Sequence, residues 1–97
     1  MLRPDISRRA SSDLSEIWVY IARDNLDAAD ELIDRIYAAI DLLCEYPNAG
    51  HKREDLTRRP LLFWTVDSNF IVYQRRGRRL RVVRVVSARR DLANLLR

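Results

Sequence analysis

The apolar residues of this chain change their period near its middle. Ala29, Leu32, Ile33, Ile36, Tyr37, Ile40, Leu43 and Cys44 recur every three or four positions, one face of a long helix, until Pro47 and Gly50 stop the pattern. Beyond a polar, irregular stretch from Asn48 to Thr57, three runs at about 59–66, 70–75 and 79–87 are rich in β-branched and aromatic residues and read as strands. A helix-period pattern does not settle as a strand, nor the reverse, so the fold class is α+β, with helices first and sheet after.

The remaining elements follow from local signals. Leu2–Ile6 reads as a first strand, and Ser7 is a good N-cap for a helix carrying Ala10, Leu14, Ile17, Trp18 and Ile21, ending at about Arg23. Asp24, Asn25 and Asp27 form a turn, and the long helix is predicted from near Ala28, with Asp30 and Glu31 in its first turn, where the macrodipole favours them. So short a turn makes an antiparallel helix hairpin, with Asp34 and Asp41 on its wet side. Asp67, Ser68 and Asn69, then Arg76, Gly77 and Arg78, supply tight turns that force the three strands into an antiparallel meander. Leu92, Leu95 and Leu96 at helical spacing predict a short terminal helix, and 97 residues suit one domain, residues 1–97.

Charge divides along the same line as period. Residues 1–50 hold five Arg and ten acids, a net of −5, whereas residues 51–97 hold thirteen Lys or Arg and four acids, a net of +9. All basic residues but Lys52 are Arg, whose planar fork matches phosphates and carboxylates. An acidic helical layer therefore backs a cationic sheet. Arg84, flanked by Val82, Val83, Val85 and Val86, is costly to bury alone, so it meets an acid or faces an anionic ligand across an open sheet.

Strand parity places Leu61 and Phe63 opposite Leu62 and Trp64, and Leu80 and Val82 opposite Val83 and Val85. Both sheet faces are then apolar. Two helices cover one of them, and the other needs the terminal helix, a second copy or a different protein, of which a protein ligand is the expected occupant.

Motifs for bond-making chemistry are sparse. No glycine-rich phosphate loop, metal-spaced His pair or hydrolase nucleophile motif occurs, and the lone Cys44 excludes both an internal disulfide and a thiolate metal site. No cofactor, metal or small-molecule ligand is expected. No signal-like segment and no membrane-length apolar run occurs, which makes the cytoplasm the expected compartment and a membrane partner unexpected. His51 stands beside Lys52 and Arg53 as a surface histidine and the one candidate proton carrier near neutral pH.

The order of elements joins with particular residues: Ser7, Ala10, Asp13 and Leu14 before IWVYIA at 17–22, AAD at 28–30, Ile33, Ile36, Pro47, Gly50, FIVYQR at 70–75 and VVRVVSARRDLANLL at 82–96. Over nearly its whole length the chain resembles the ParE/RelE superfamily of type II toxin-antitoxin toxins. The resemblance implies either inhibition of DNA gyrase, as in ParE-like members, or ribosome-dependent mRNA cleavage, as in RelE-like ones. It departs from the cleaving pattern in having no tyrosine after Tyr73, no lysine cluster, and Ser87 where many members have His. Arg is a poor base, so a cleaving site would depend on His51 with Arg59, Arg84 and Arg90.

The expected reading is a non-catalytic ParE-like toxin, neutralised in a hetero-oligomer by an acidic ParD-like antitoxin. Trp18, Leu62, Trp64 and Val83 with Arg58, Arg59 and Arg84 are the expected antitoxin contacts, and Arg84, Arg89, Arg90, Leu92 and Leu95 the expected target contacts. A plain nucleic-acid-binding module is the remaining alternative, suggested by the +9 half.

Overall fold

Ser7 joins the first strand to the first helix. Its hydroxyl accepts the Ala10 amide at 3.0 Å, capping the helix, and donates to the Val83 carbonyl at 2.8 Å, fastening that cap to the sheet. The computed structural model describes residues 1–89, 94 and 96. The elements are β1 (Arg3–Ile6), α1 (Arg8–Ala22), α2 (Leu26–Glu45), β2 (His51–Lys52), β3 (Leu62–Val66), β4 (Asn69–Arg76) and β5 (Arg79–Ser87). The predicted terminal helix lies for the most part outside the described residues.

Two boundaries differ from the sequence reading for local reasons. Asn25 is the cap of α2, its side chain accepting the Ala28 amide at 3.0 Å, so the helix starts at Leu26 and takes Asp27 into its first turn. Strand β3 begins at Leu62, not at about residue 59, because Pro60 has no amide to give a ladder and the Leu61 amide turns back to the Arg59 carbonyl at 2.8 Å. His51–Lys52, in the stretch read as irregular, pairs with Phe63 and Leu62 as a two-residue edge strand.

The sheet order is β1-β5-β4-β3-β2, with β1 parallel to β5 and every other pair antiparallel. The meander is therefore as predicted, and the N-terminal strand returns to its far side. Helices α1 and α2 lie over one face, where Leu14, Leu32, Ile36, Ile40 and Leu43 meet Ile71, Tyr73, Leu80, Val82 and Val85.

The opposite face is apolar, as expected, but much of it is covered from within the chain. Leu61, Phe63, Val72 and Val86 form a second buried cluster with Leu96, and Leu56, Phe70 and Val83 pack against it. Thr57 donates its hydroxyl to the Leu96 carbonyl at 3.1 Å, and the Arg53 guanidinium sits 5.7 Å from the centre of the Phe70 ring.

Parity also needs one correction. Val85 lies with Leu80 and Val82 on the helix side, and Val86 lies with Val83 on the other. The register jumps between Val72, opposite Arg84, and Tyr73, opposite Val82, so β5 carries one extra residue, Val83. That bulge resets the alternation.

Candidate functional site

Strand β1 pairs with β5 only from Arg79 to Val82. Past that point the outer side of β5 has no neighbouring strand, and buried backbone groups there need other partners. Helix α1 provides them. Ser7 takes the Val83 carbonyl, and the Asp13 carboxylate accepts the Val85 amide at 3.0 Å.

The same carboxylate holds Arg84 in a two-pronged ion pair, Nε to Oδ2 at 2.8 Å and Nη2 to Oδ1 at 3.0 Å. Arg84 and Asp13 are only 7% and 5% exposed. The hydrogen bond to Asp13 raises the guanidinium above its ordinary range, against the lowering effect of burial. Arg84 thus meets an acid and faces no open sheet, which corrects its assignment as a free cation for antitoxin, target or phosphate. Asp13 sits on the buried stripe of α1 between Ala10 and Leu14, a place where a carboxylate requires a buried donor, although nothing in the sequence says which one.

Beside this pair opens a groove of about 610 Å³, walled by Ile17, Ile21 and Leu32 from the helices and by Val85 and Val86 from β5, with Glu16, Tyr20 and Arg89 among its lining residues. Tyr20 is 76% exposed, and Val19, Leu26, Tyr37, Leu42 and Tyr46 are further large apolar residues exposed on or beside the helices. The open apolar surface of the described residues is therefore mainly helical.

At the other end of α2, Tyr73 acts as a clamp. Its buried hydroxyl donates to the Pro47 carbonyl at 2.9 Å and accepts the Gly50 amide at 2.9 Å, tying the end of the helix hairpin to β4. Burial pushes the phenol upward, while the Gly50 bond pulls the other way. A Cβ on Gly50 would stand 2.5 Å from the Tyr73 hydroxyl, so the approach requires glycine.

The predicted site residues are dispersed. Trp18 is half-buried and donates Nε1 to Asp30 at 2.8 Å. Leu62 and Trp64 are half-buried against the helix-side core, and Val83 against the opposite cluster. Arg58 and Arg59 are exposed in the segment before β3, and Arg89 is exposed just after β5. Arg90, Leu92 and Leu95 lie outside the described residues.

His51 is exposed on edge strand β2, three strands from Arg84 on β5. At about 4.8 Å per strand that separates their backbones by roughly 14 Å, and the Arg84 guanidinium is already held by Asp13. No group of His, Cys, Asp and Glu able to hold a metal occurs among the described residues, and none of their helices is long and apolar enough to cross a membrane.

The family described as "ParE toxin of type II toxin-antitoxin system, parDE" matches residues 5–92. Among individual proteins, the chain is 33% identical over 88 residues to Y4kP of Sinorhizobium fredii, covering 91% of this chain and 90% of that one. It is 30% identical over 82 residues to toxin ParE1 of Caulobacter vibrioides, covering 84% and 83%. A solved structure described as a chromosomal ParDE toxin-antitoxin system from P. aeruginosa superimposes with a TM-score of 0.73 over 90% of this chain and 96% of that one, at 19% identity, a likeness of fold.

Proposed function

Since the chain belongs to the ParE family of toxins of type II toxin-antitoxin systems, we propose that it arrests growth by docking onto DNA gyrase and is neutralised by an acidic ParD-like antitoxin. The observation that carries this reading is the dispersal of the groups a nuclease would need. Arg84 is closed off by Asp13, and the proton carrier His51 stands three strands away. A binding toxin needs only complementary surface, and two kinds are available: apolar side chains along the helices and a large excess of exposed guanidinium groups.

The antitoxin follows from the same chemistry. A net charge of +4, concentrated in the second half, favours an acidic partner and speeds its association. An amphipathic segment of that partner would lay its apolar side chains on Val19 and Tyr20 and into the groove beside Val85, with acids reaching Arg89, Arg58 and Arg59.

Purified toxin added to a gyrase supercoiling reaction is expected to inhibit it, and prior mixing with the antitoxin to restore it. Cleavage of mRNA on translating ribosomes, with supercoiling unaffected, would replace gyrase by the ribosome and make the toxin an endonuclease.

A further inference from the structure

The register of the sheet sets Arg76 opposite Arg79 and Arg79 opposite Arg3, one transverse row of three guanidinium groups across β4, β5 and β1. Directly opposed residues share a face, and this row lies on the face away from the helices, because its neighbour Leu80 points into the helix-side core. All three arginines are exposed, and among the described residues none has an acidic partner at ion-pair distance. The next row on that face, Gln74, Arg81 and Asp5, is neutralised by the Arg81–Asp5 bond at 2.8 Å.

Like charges directly opposite one another destabilise a sheet, so this row works against the fold that carries it. Arg75 and Arg78 flank it at the same hairpin end, and Gly77, in the left-handed region at φ 60°, makes the tight turn between them. We propose that this end of the sheet binds the phosphodiester backbone of a nucleic acid through Arg3, Arg76 and Arg79.

Spacing supports the assignment. Three adjacent strands span roughly 10 Å from first to third, and the long Arg side chains extend that reach, so the row can meet two or three neighbouring phosphates of one backbone. The Arg fork suits each of them. Chemistry separates this surface from a protein-docking one. Interface cores between proteins need apolar anchors, yet among the described residues the large exposed apolar side chains belong to the helices and their ends, Met1 excepted. A polar, strongly cationic patch is what a phosphate backbone takes.

The test uses the full-length chain, fluorescent duplex DNA and a matched RNA duplex, with anisotropy titrations between about 50 and 200 mM salt. Arg3→Gln, Arg76→Gln and Arg79→Gln combined should flatten the slope of log affinity against log salt by up to about 2.7, at 0.9 per phosphate contact. An equal-charge control, Arg8→Gln, Arg9→Gln and Arg23→Gln, all exposed on or beside α1, should leave the slope near that of the parent. Loss on DNA, on RNA or on both assigns the polymer, and each supports the site. Absence of binding by the parent chain, equal losses in the two triple variants, or an unchanged slope in the first would overturn it. Thermal melts of both variants establish folding, and the row variant should melt no lower than its parent because repulsion is relieved. Gyrase takes no part in either arm, so this inference and the choice of toxin target fail independently.

Discussion

The Asp13 carboxylate accepts both prongs of the Arg84 guanidinium and also the amide of Val85, at 2.8, 3.0 and 3.0 Å. One side chain on α1 thereby neutralises a buried cation and completes the edge of β5 that β1 leaves unpaired. Asp13→Asn should destabilise the chain by about 3–5 kcal/mol, because a buried charge loses its partner. Asp13→Leu combined with Arg84→Met should recover part of that loss, the buried Val85 amide still lacking its acceptor. Urea denaturation of the parent and the two variants checks both statements, and equal losses in single and double variants would show that the pair is not coupled.

Ser7 serves two buried groups at once, the Ala10 amide and the Val83 carbonyl. Ser7→Ala should cost about 1–2 kcal/mol, the upper part of the range for lost N-caps. For a domain of this size, each kcal/mol lowers the melting temperature by about 4–8 °C. Ser15, whose exposed hydroxyl reaches only the Ser11 carbonyl of its own helix at 3.3 Å, is the control, and Ser15→Ala should change nothing measurable.

The two glycines should fail in different ways when replaced by alanine. Gly50→Ala drives a methyl into the Tyr73 hydroxyl, and adding Tyr73→Phe should relieve part of the clash. Gly77 has open space but a φ of 60°, so Gly77→Ala should cost about 1 kcal/mol from backbone conformation alone. Gly77→Asn should recover that loss, since Asn tolerates the left-handed region. A double-variant cycle that finds Tyr73→Phe equally helpful at both positions would contradict this assignment.

Tyr73 makes stability depend on alkaline pH. Its folded phenol is raised above the ordinary value of 10.0, chiefly by burial. Between those two values the unfolded chain has released a proton that the folded chain retains, so stability is unaffected below about pH 10 and falls as pH rises through the folded value. Denaturation midpoints followed from pH 9 to 11.5 should decline more steeply for the parent than for Tyr73→Phe, which should itself be less stable at pH 9 by about 1–3 kcal/mol from the lost buried bonds.

If the toxin works by binding, His51→Ala should leave growth arrest intact, because His51 is an exposed edge residue remote from Arg84. Induction of the variant in cells, with viable counts over time, reads this out. Loss of arrest with unchanged protein level and melting temperature would return the endonuclease to first place.

Periodicity and caps are local properties, and the elements they control were legible. The Ser7 cap, the stop after α2, the turn at Asp67 and the order of helices and meander strands all follow from neighbours within a few residues. Even the apolar character of both sheet faces could be read, because alternation needs only the strand itself. The candidate site was legible in kind, as an excess of guanidinium groups without a base among them, and not in arrangement.

What only the tertiary structure decided is held by contacts between distant parts of the chain. Asp13 and Arg84 lie 71 residues apart, and nothing near either names the other. The extra residue at Val83 reverses the alternation of β5, and a bulge is set by the partner strand, so reading one strand alone assigns Val85 to the wrong face. Most consequentially, β1 returns to pair in parallel with β5 and carries Arg3 beside Arg79. Composition determined that the second half would be cationic. Strand register, a long-range property set by burial and backbone pairing together, decided which of those cations would join Arg3 in a row that no acid among the described residues answers.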